Sequence, residues 1–316
     1  MTAESTSTSP LVRDDGGMAP AERTRSYYGR GIINKPVWTW EIPVYFFTGG
    51  LAGACSLIAT AARVDGNQSL ARTARRIATA AALASPPLLI SDLGRPERFH
   101  HMLRVIKPTS PMSMGSWLLA GFSTLQTGST VLAELGRLPR LQRLAQTAAA
   151  ALAPMMTTYT AVLISDTAVP VWHEARKHLP WLFASGTVAS GGSACLLLVP
   201  DARAARRLAV AGGVGELALT RLMEERLGDL AGPYHKKPAG PWSKAATALT
   251  AIGAGLLAAS GRCGRYRRAS AAAGAVATFA GAFAERWAIF RAGEDSADDP
   301  AYTVTPQRER ADTLTS

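Results

Sequence analysis

The sequence predicts an all-α integral membrane protein with eight transmembrane helices, and three observations lead there. Hydrophobic residues make up 47% of the 316 but aromatics only 7%, so the apolar content is carried by Ala, Leu, Val and Gly, which membrane helices tolerate. A mean hydropathy of +0.07 would suit a soluble protein, yet the charged residues are segregated from long uncharged runs. Those runs show neither the alternation nor the β-branched enrichment of strands.

In chain order the runs are residues 42–62, 77–91, 108–133, 144–165, 179–200, 208–223, 245–261 and 269–284. A span needs about 20 mostly apolar residues. The first, third, fourth and fifth runs reach that unaided, and the seventh is just long enough. The second and eighth borrow interfacial residues at their ends, and the sixth is interrupted by Glu216 and Arg221. Backbone in lipid must satisfy its hydrogen bonds internally, so each run is read as a helix. Small-residue strings, "GGLAGA" at 49–54, "ASGGSA" at 189–194 and "ASAAAGA" at 269–275, allow close helix packing. The stretches 1–36 and 293–316 lack an apolar core and are expected to be flexible tails, neither signal peptide nor domain. The first helix then directs insertion.

Charge sorts by side. The loops after helices 1, 3, 5 and 7 hold 14 Lys or Arg and three acids, Asp65, Glu134 and Asp201. The rest of the chain, tails included, holds 20 basic and 20 acidic residues. All of the net charge of +11 therefore falls on four short loops. Their almost purely basic character reads as cytoplasmic, which puts both termini outside a plasma membrane, although a raw count of Lys and Arg does not favour this orientation. Charge so distributed does not point to nucleic acid.

Cys55, Cys195 and Cys263 are isolated in or beside apolar runs, unlike the clustered thiolates of an iron–sulfur site. The five histidines, His100, His101, His173, His178 and His235, fall in loops on the near-neutral side, so no intramembrane pair offers itself to haem. His100, His101 and His173 lack a recognised zinc spacing, and no metal site is expected. "GGVGE" at 212–216 lies in an apolar helix rather than after a strand, so it is not a nucleotide fingerprint.

What remains is polarity concentrated at one membrane face. Glu41 opens helix 1, Asp92 closes helix 2, and Asp166 closes helix 4 seven residues after Tyr159. Carboxylates at membrane depth are costly and default to a functional reading; the bland alternative is that they cap helices or pair with Arg95, Arg98 and Arg176.

Three stretches, "GRGIINKPVWTWEIPVYFFTGGLAGA", "SDLGRPERFHHMLRVIKPTSPMSMGSW" and "YTAVLISDTAVPVWHEARKHLPWLFASG", carry a resemblance to the NrfD-like family of polysulfide reductase membrane subunits. They keep the family's order and cover roughly residues 27–190; beyond them only the helix pattern and Glu216 match. The resemblance implies two four-helix bundles, residues 37–175 with a quinone site and 176–292, with no haem, cluster or metal in this chain. It implies a four-cluster ferredoxin-like iron–sulfur partner and a molybdopterin catalytic subunit, as in the assemblies beside formate dehydrogenases, with menaquinone as the quinone. Tyr159 matches the family's quinone-contacting tyrosine. The N-terminal quinone block holds Trp38, Trp40 and Glu41, with Thr39 where some relatives have His, and the Asp92–Pro111 connection would lie over the quinone and against the partner. Trp117 and Arg95 join the cofactor-binding candidates; Asp92, Asp166, Glu41, His100 and His101 are the candidates for proton exchange. Two other readings are a secondary transporter and a proton-translocating module in which Glu216, Arg221 and Glu285 form a relay.

Overall fold

The structure is a computed structural model that describes Ile33 and residues 36–304, save for the side chain of Arg262; most of the expected N-terminal tail and the end of the C-terminal one lie outside these residues. Eight long helices follow one another: α1 (Glu41–Val64), α2 (Gln68–Ser91), α3 (Pro111–Glu134), α4 (Pro139–Ser165), α5 (Leu179–Leu198), α6 (Arg203–Leu227), α7 (Ala239–Ala259) and α8 (Arg267–Asp298). Short helical turns join them, and no strand occurs among the described residues. Helices α1, α4 and α5 are each long and apolar enough to cross a membrane, and α2 taken with the turn Pro96–Leu103, bent from it by 112°, makes a fourth.

Local chemistry sets the starts. Pro occupies the first turn of α3, α4 and α5, where its missing N–H costs nothing. The Asn67 side chain accepts the Leu70 N–H at 3.1 Å and starts α2 nine residues ahead of its apolar run, with Arg72, Arg75 and Arg76 inside the helix. The apolar run marks only the stretch suited to hydrocarbon, and the helix continues past it into the polar interface.

Contacts between loops show that successive helices run up and down. At one end Arg76 grips Glu134 with two bonds of 2.9 and 2.8 Å, joining α2 to α3. Helices α1 and α5 run parallel, with Gly50 against Thr187 and Gly191 against Ala54, so the same end holds the α5–α6 loop, where Arg267 and Arg268 of α8 reach Asp201 at 2.7 and 3.2 Å. These pairs are exposed and contribute little energy; their value here is in fixing which loops share an end. At the other end the indole of Trp172, in the α4–α5 connection, stacks on Trp38 at 5.9 Å and donates to the Ile289 carbonyl at 2.8 Å. A side chain at position 293 would overlap that indole, so Gly293 lets α8 pass close by. Helix α8 continues to Asp298, through the first six residues of the stretch expected to be tail.

A buried amide network ties α1 to α4. Ser56 donates to Gln126 Oε1 at 2.8 Å, and Gln126 Nε2 donates to the Arg75 carbonyl and to Thr79, both at 3.2 Å. Ser129 donates to Gln146 Oε1 at 3.0 Å, and Gln146 Nε2 reaches Thr60 at 3.2 Å. Interhelical bonds of this kind hold apolar helices in one register.

Candidate functional site

The end opposite the basic loops gathers the polar residues. Thr39, just ahead of α1, donates its N–H to Asp92 Oδ1 at 3.0 Å, and its hydroxyl lies 3.2 Å from the same oxygen. That hydroxyl also contacts Glu41 Oε2. Asp92 at the end of α2 and Glu41 at the start of α1 are therefore brought together through Thr39. Asp92 is thus bonded by Thr39 rather than by Arg95 or Arg98, and Arg176 donates to the His173 carbonyl.

One turn below Glu41 on the same face of α1 stands Tyr45, fully buried. Its phenol interacts electrostatically with that of Tyr159 on α4 without a formed hydrogen bond between them. Tyr45 Oη has no partner among the described residues. The Tyr159 ring occupies a notch over Gly115 of α3, where a Cβ would overlap Cζ and Oη of the phenol. Glycine at 115 is thus required by this close approach. Buried hydroxyls are nearly always satisfied, so an orphan donor beside a second phenol is a place where a ligand oxygen fits.

Next to Gly115, Ser116 lines a cavity of about 210 Å³ between α2, α3 and the Pro96–Leu103 turn, with Pro86, Leu89, Ile90, Phe99 and Leu119 on its walls. A second cavity of about 160 Å³ shares Met102 and Ser116 with it and reaches His101. His100 and His101 lie ring to ring at 4.3 Å, and both are exposed. Above the cleft the connection carries Arg95, Arg98, Arg104 and Lys107 beside exposed Phe99, Val105 and Ile106.

The other sequence candidates are scattered. Asp166 caps α4, exposed, seven residues beyond Tyr159. Trp40 is 58% exposed. Trp117 turns away from the Tyr159 notch and donates to the Val105 carbonyl at 3.3 Å. Trp38 is committed to Trp172. Tyr45 and Gly115 went unsuspected: Tyr45 sits four residues after Glu41, which is a helical-face signal, whereas only the fold reveals the notch at Gly115.

A third group lies between α5, α6 and α8. Arg286 is 1% exposed, its Nη2 donating to the Phe183 carbonyl at 2.8 Å and its Nη1 4.0 Å from Glu216 Oε1. Glu285 accepts from the Thr220 hydroxyl at 3.2 Å. Arg221, expected beside these acids, is exposed on α6, because it stands about 500° of helical rotation from Glu216 and so on another face; Arg286 takes the place next to them. Cys55 and Cys195, far apart in sequence, are buried free thiols in contact with each other. No cluster of metal-ligating side chains occurs among the described residues.

Long apolar helices that alternate in direction and keep their ionisable groups inward or at the two ends define a multi-pass helical membrane protein. Within that class the sequence matches the polysulphide reductase NrfD family over residues 31–226. This is more than half of the chain, which therefore belongs to that family. The match stops within α6, leaving α7 and α8 outside it. No curated protein matches it in sequence.

Proposed function

We propose that this chain is the membrane anchor and quinone-reactive subunit of a multi-subunit oxidoreductase, exchanging electrons between an iron–sulfur partner and a quinone, with menaquinone as the quinone. In this reading all eight helices cross the plasma membrane as two bundles, residues 37–175 and 176–292, with both termini outside. The observation that carries the proposal is the orphan Tyr45 phenol beside Tyr159, beneath the Asp92–Thr39–Glu41 cluster and one residue of α3 away from an apolar cleft.

Reduction of a quinone takes two electrons and two protons. The electrons pass between the quinone and the partner's nearest cluster, docked on the Asp92–Pro111 connection, whose mixture of guanidinium groups and exposed apolar side chains suits an acidic protein surface. The phenols of Tyr159 and Tyr45 donate to a quinone carbonyl and orient the ring. Glu41 and Asp92, joined by Thr39, and Asp166 at the interface carry protons between that carbonyl and water, with His100 and His101 at the mouth of the cleft. Arg95 serves docking, and the molybdopterin subunit binds beyond the iron–sulfur partner.

Purification in mild detergent tests this. A ferredoxin-like subunit carrying iron and acid-labile sulfide should accompany the chain. A homogeneous preparation without it that still transports a solute after reconstitution would support a transporter instead.

A further inference from the structure

The second half of the chain buries more charge than an anchor needs. Helix α6 places Glu216, Thr220 and Glu224 at successive four-residue steps, one above another on a single face and spanning about 12 Å of rise. Continuing the same face toward the basic loops meets Gly212, Ala209 and Ala205, all buried. On α6 the polar ladder therefore stops at Glu216, and the buried polar side chains beyond it are the uncharged Thr250 of α7 and Thr278 of α8, packed against Gly213.

Opposite this ladder α8 presents Glu285 and Arg286. Both Glu216 oxygens lack a hydrogen-bond partner among the described residues, as do Nε and Nη1 of Arg286. The Arg286 guanidinium lies 4.0 Å from the centre of the Phe183 ring. A side chain at Gly186 would press on both Glu216 and Arg286, so the glycine makes room for them. With both carboxylates ionised, two negative charges face one positive, and Glu216 would be a buried carboxylate without a hydrogen bond among the described residues. A single proton on the carboxyl pair makes the cluster neutral, and such a proton belongs to the pair.

The way out leads to the histidine-bearing face. Thr220 bonds Glu285. Tyr234, 2% exposed in the turn between α6 and α7, interacts electrostatically with both Glu285 and Glu224; burial, first, and these two carboxyls hold its phenol well above the ordinary range. Its Oη has no partner among the described residues. Glu224 in turn meets exposed His235 at 3.6 Å. Other elements packed around the cluster add no charge: α5 gives the Phe183 carbonyl and ring and bare Gly186, and the one ionisable side chain of α7, Lys244, is exposed. On α1, the Phe46 ring lies 6.0 Å from that of Phe183, tilted by 54°, and 6.3 Å from that of Tyr45, so the ring contacts that link this cluster to Tyr45 run through two apolar side chains.

We propose that Glu216, Glu285 and Arg286 form a proton-exchange site that holds one proton and opens to the histidine-bearing face, along Thr220, Tyr234, Glu224 and His235. It is separate from the Tyr45–Tyr159 pair and does not depend on a quinone occupying that pair. Deuterium exchange followed by infrared spectroscopy on the intact chain in lipid nanodiscs reads it directly. Near neutral pH the protein should show the carbonyl stretch of a neutral carboxylic acid, shifting in D2O. Glu216→Gln combined with Glu285→Gln should abolish that band, whereas Asp201→Asn, at an exposed carboxylate paired with Arg267 and Arg268, should leave it. Tyr234→Phe removes an unbonded hydroxyl and should fold normally, but it should slow the exchange at least about tenfold. Absence of an exchanging neutral-acid band in the unmodified protein, its survival in the double variant, or an unchanged rate in Tyr234→Phe would overturn the proposal.

Discussion

Gly115→Ala adds one methyl group at the point where the account is most sensitive. The new Cβ would overlap Cζ and Oη of Tyr159, so either the ring swings out of its notch or α3 and α4 move apart. Forcing a methyl into a packed interface costs roughly 1–3 kcal/mol. If the displaced phenol is the group that orients the quinone, a loss of that size in the barrier corresponds to about a five- to 150-fold fall in quinone-coupled turnover. The same helix supplies controls. A Cβ at Gly121 would first meet Leu152 at 4.0 Å, and one at Gly128 would meet nothing within that distance. The assay compares quinone turnover with reduction of a water-soluble dye by the purified complex, since the dye takes electrons from the catalytic subunit without passing through this chain. Gly115→Ala should lose quinone activity alone, while Gly121→Ala and Gly128→Ala keep both. Undiminished quinone turnover in Gly115→Ala, or an equal loss in Gly128→Ala, would refute the reasoning.

Two further outcomes follow from the fold. Gln126→Leu leaves the Ser56 hydroxyl, the Arg75 carbonyl and Thr79 without their shared partner and should destabilise the first four helices by about 1–2 kcal/mol; an unchanged denaturation midpoint in detergent would show that the network contributes nothing net. A cysteine placed at Arg265, in the loop between α7 and α8, should be labelled only from the cytoplasm, and cysteines at Met1 and Ser316 only from outside; the reverse pattern would invert the proposed orientation.

Much of this architecture is legible in the sequence because lipid imposes a length and a composition on each span. Every uncharged run has a helix behind it. The helices exceed their runs wherever charged residues can reach the interface: α2 begins at Gln68 rather than 77, and α8 ends at Asp298 rather than 284. The ends of single helices were equally legible: Glu41 opens α1 and Asp166 closes α4. What stays hidden depends on contacts across the chain. Thr39 reaches Asp92 over 53 positions, Trp172 reaches Ile289 over 117, and Arg286 reaches Phe183 over 103. No local period marks such pairs. The notch at Gly115 is harder still, since among the many small residues of these helices only the facing ring distinguishes it.

The central claim is that the Tyr45–Tyr159 end of the first four helices reacts with quinone, and the most direct measurement is quinone and dye activity on the same purified Tyr159→Phe and Asp166→Asn complexes. Each change is nearly isosteric, and Asp166 is exposed, so assembly should survive. In the proposed function Tyr159 would donate to the quinone about 10 Å of helix rise below Asp166, and Asp166 would pass protons at the water interface. Each variant should slow quinone-coupled electron transfer at least about tenfold, equivalent to about 1.4 kcal/mol in the barrier, with dye reduction unchanged. Full quinone turnover in both variants would contradict the account and leave these residues as packing and capping groups, and an equal loss of both activities would show that they hold the complex together instead.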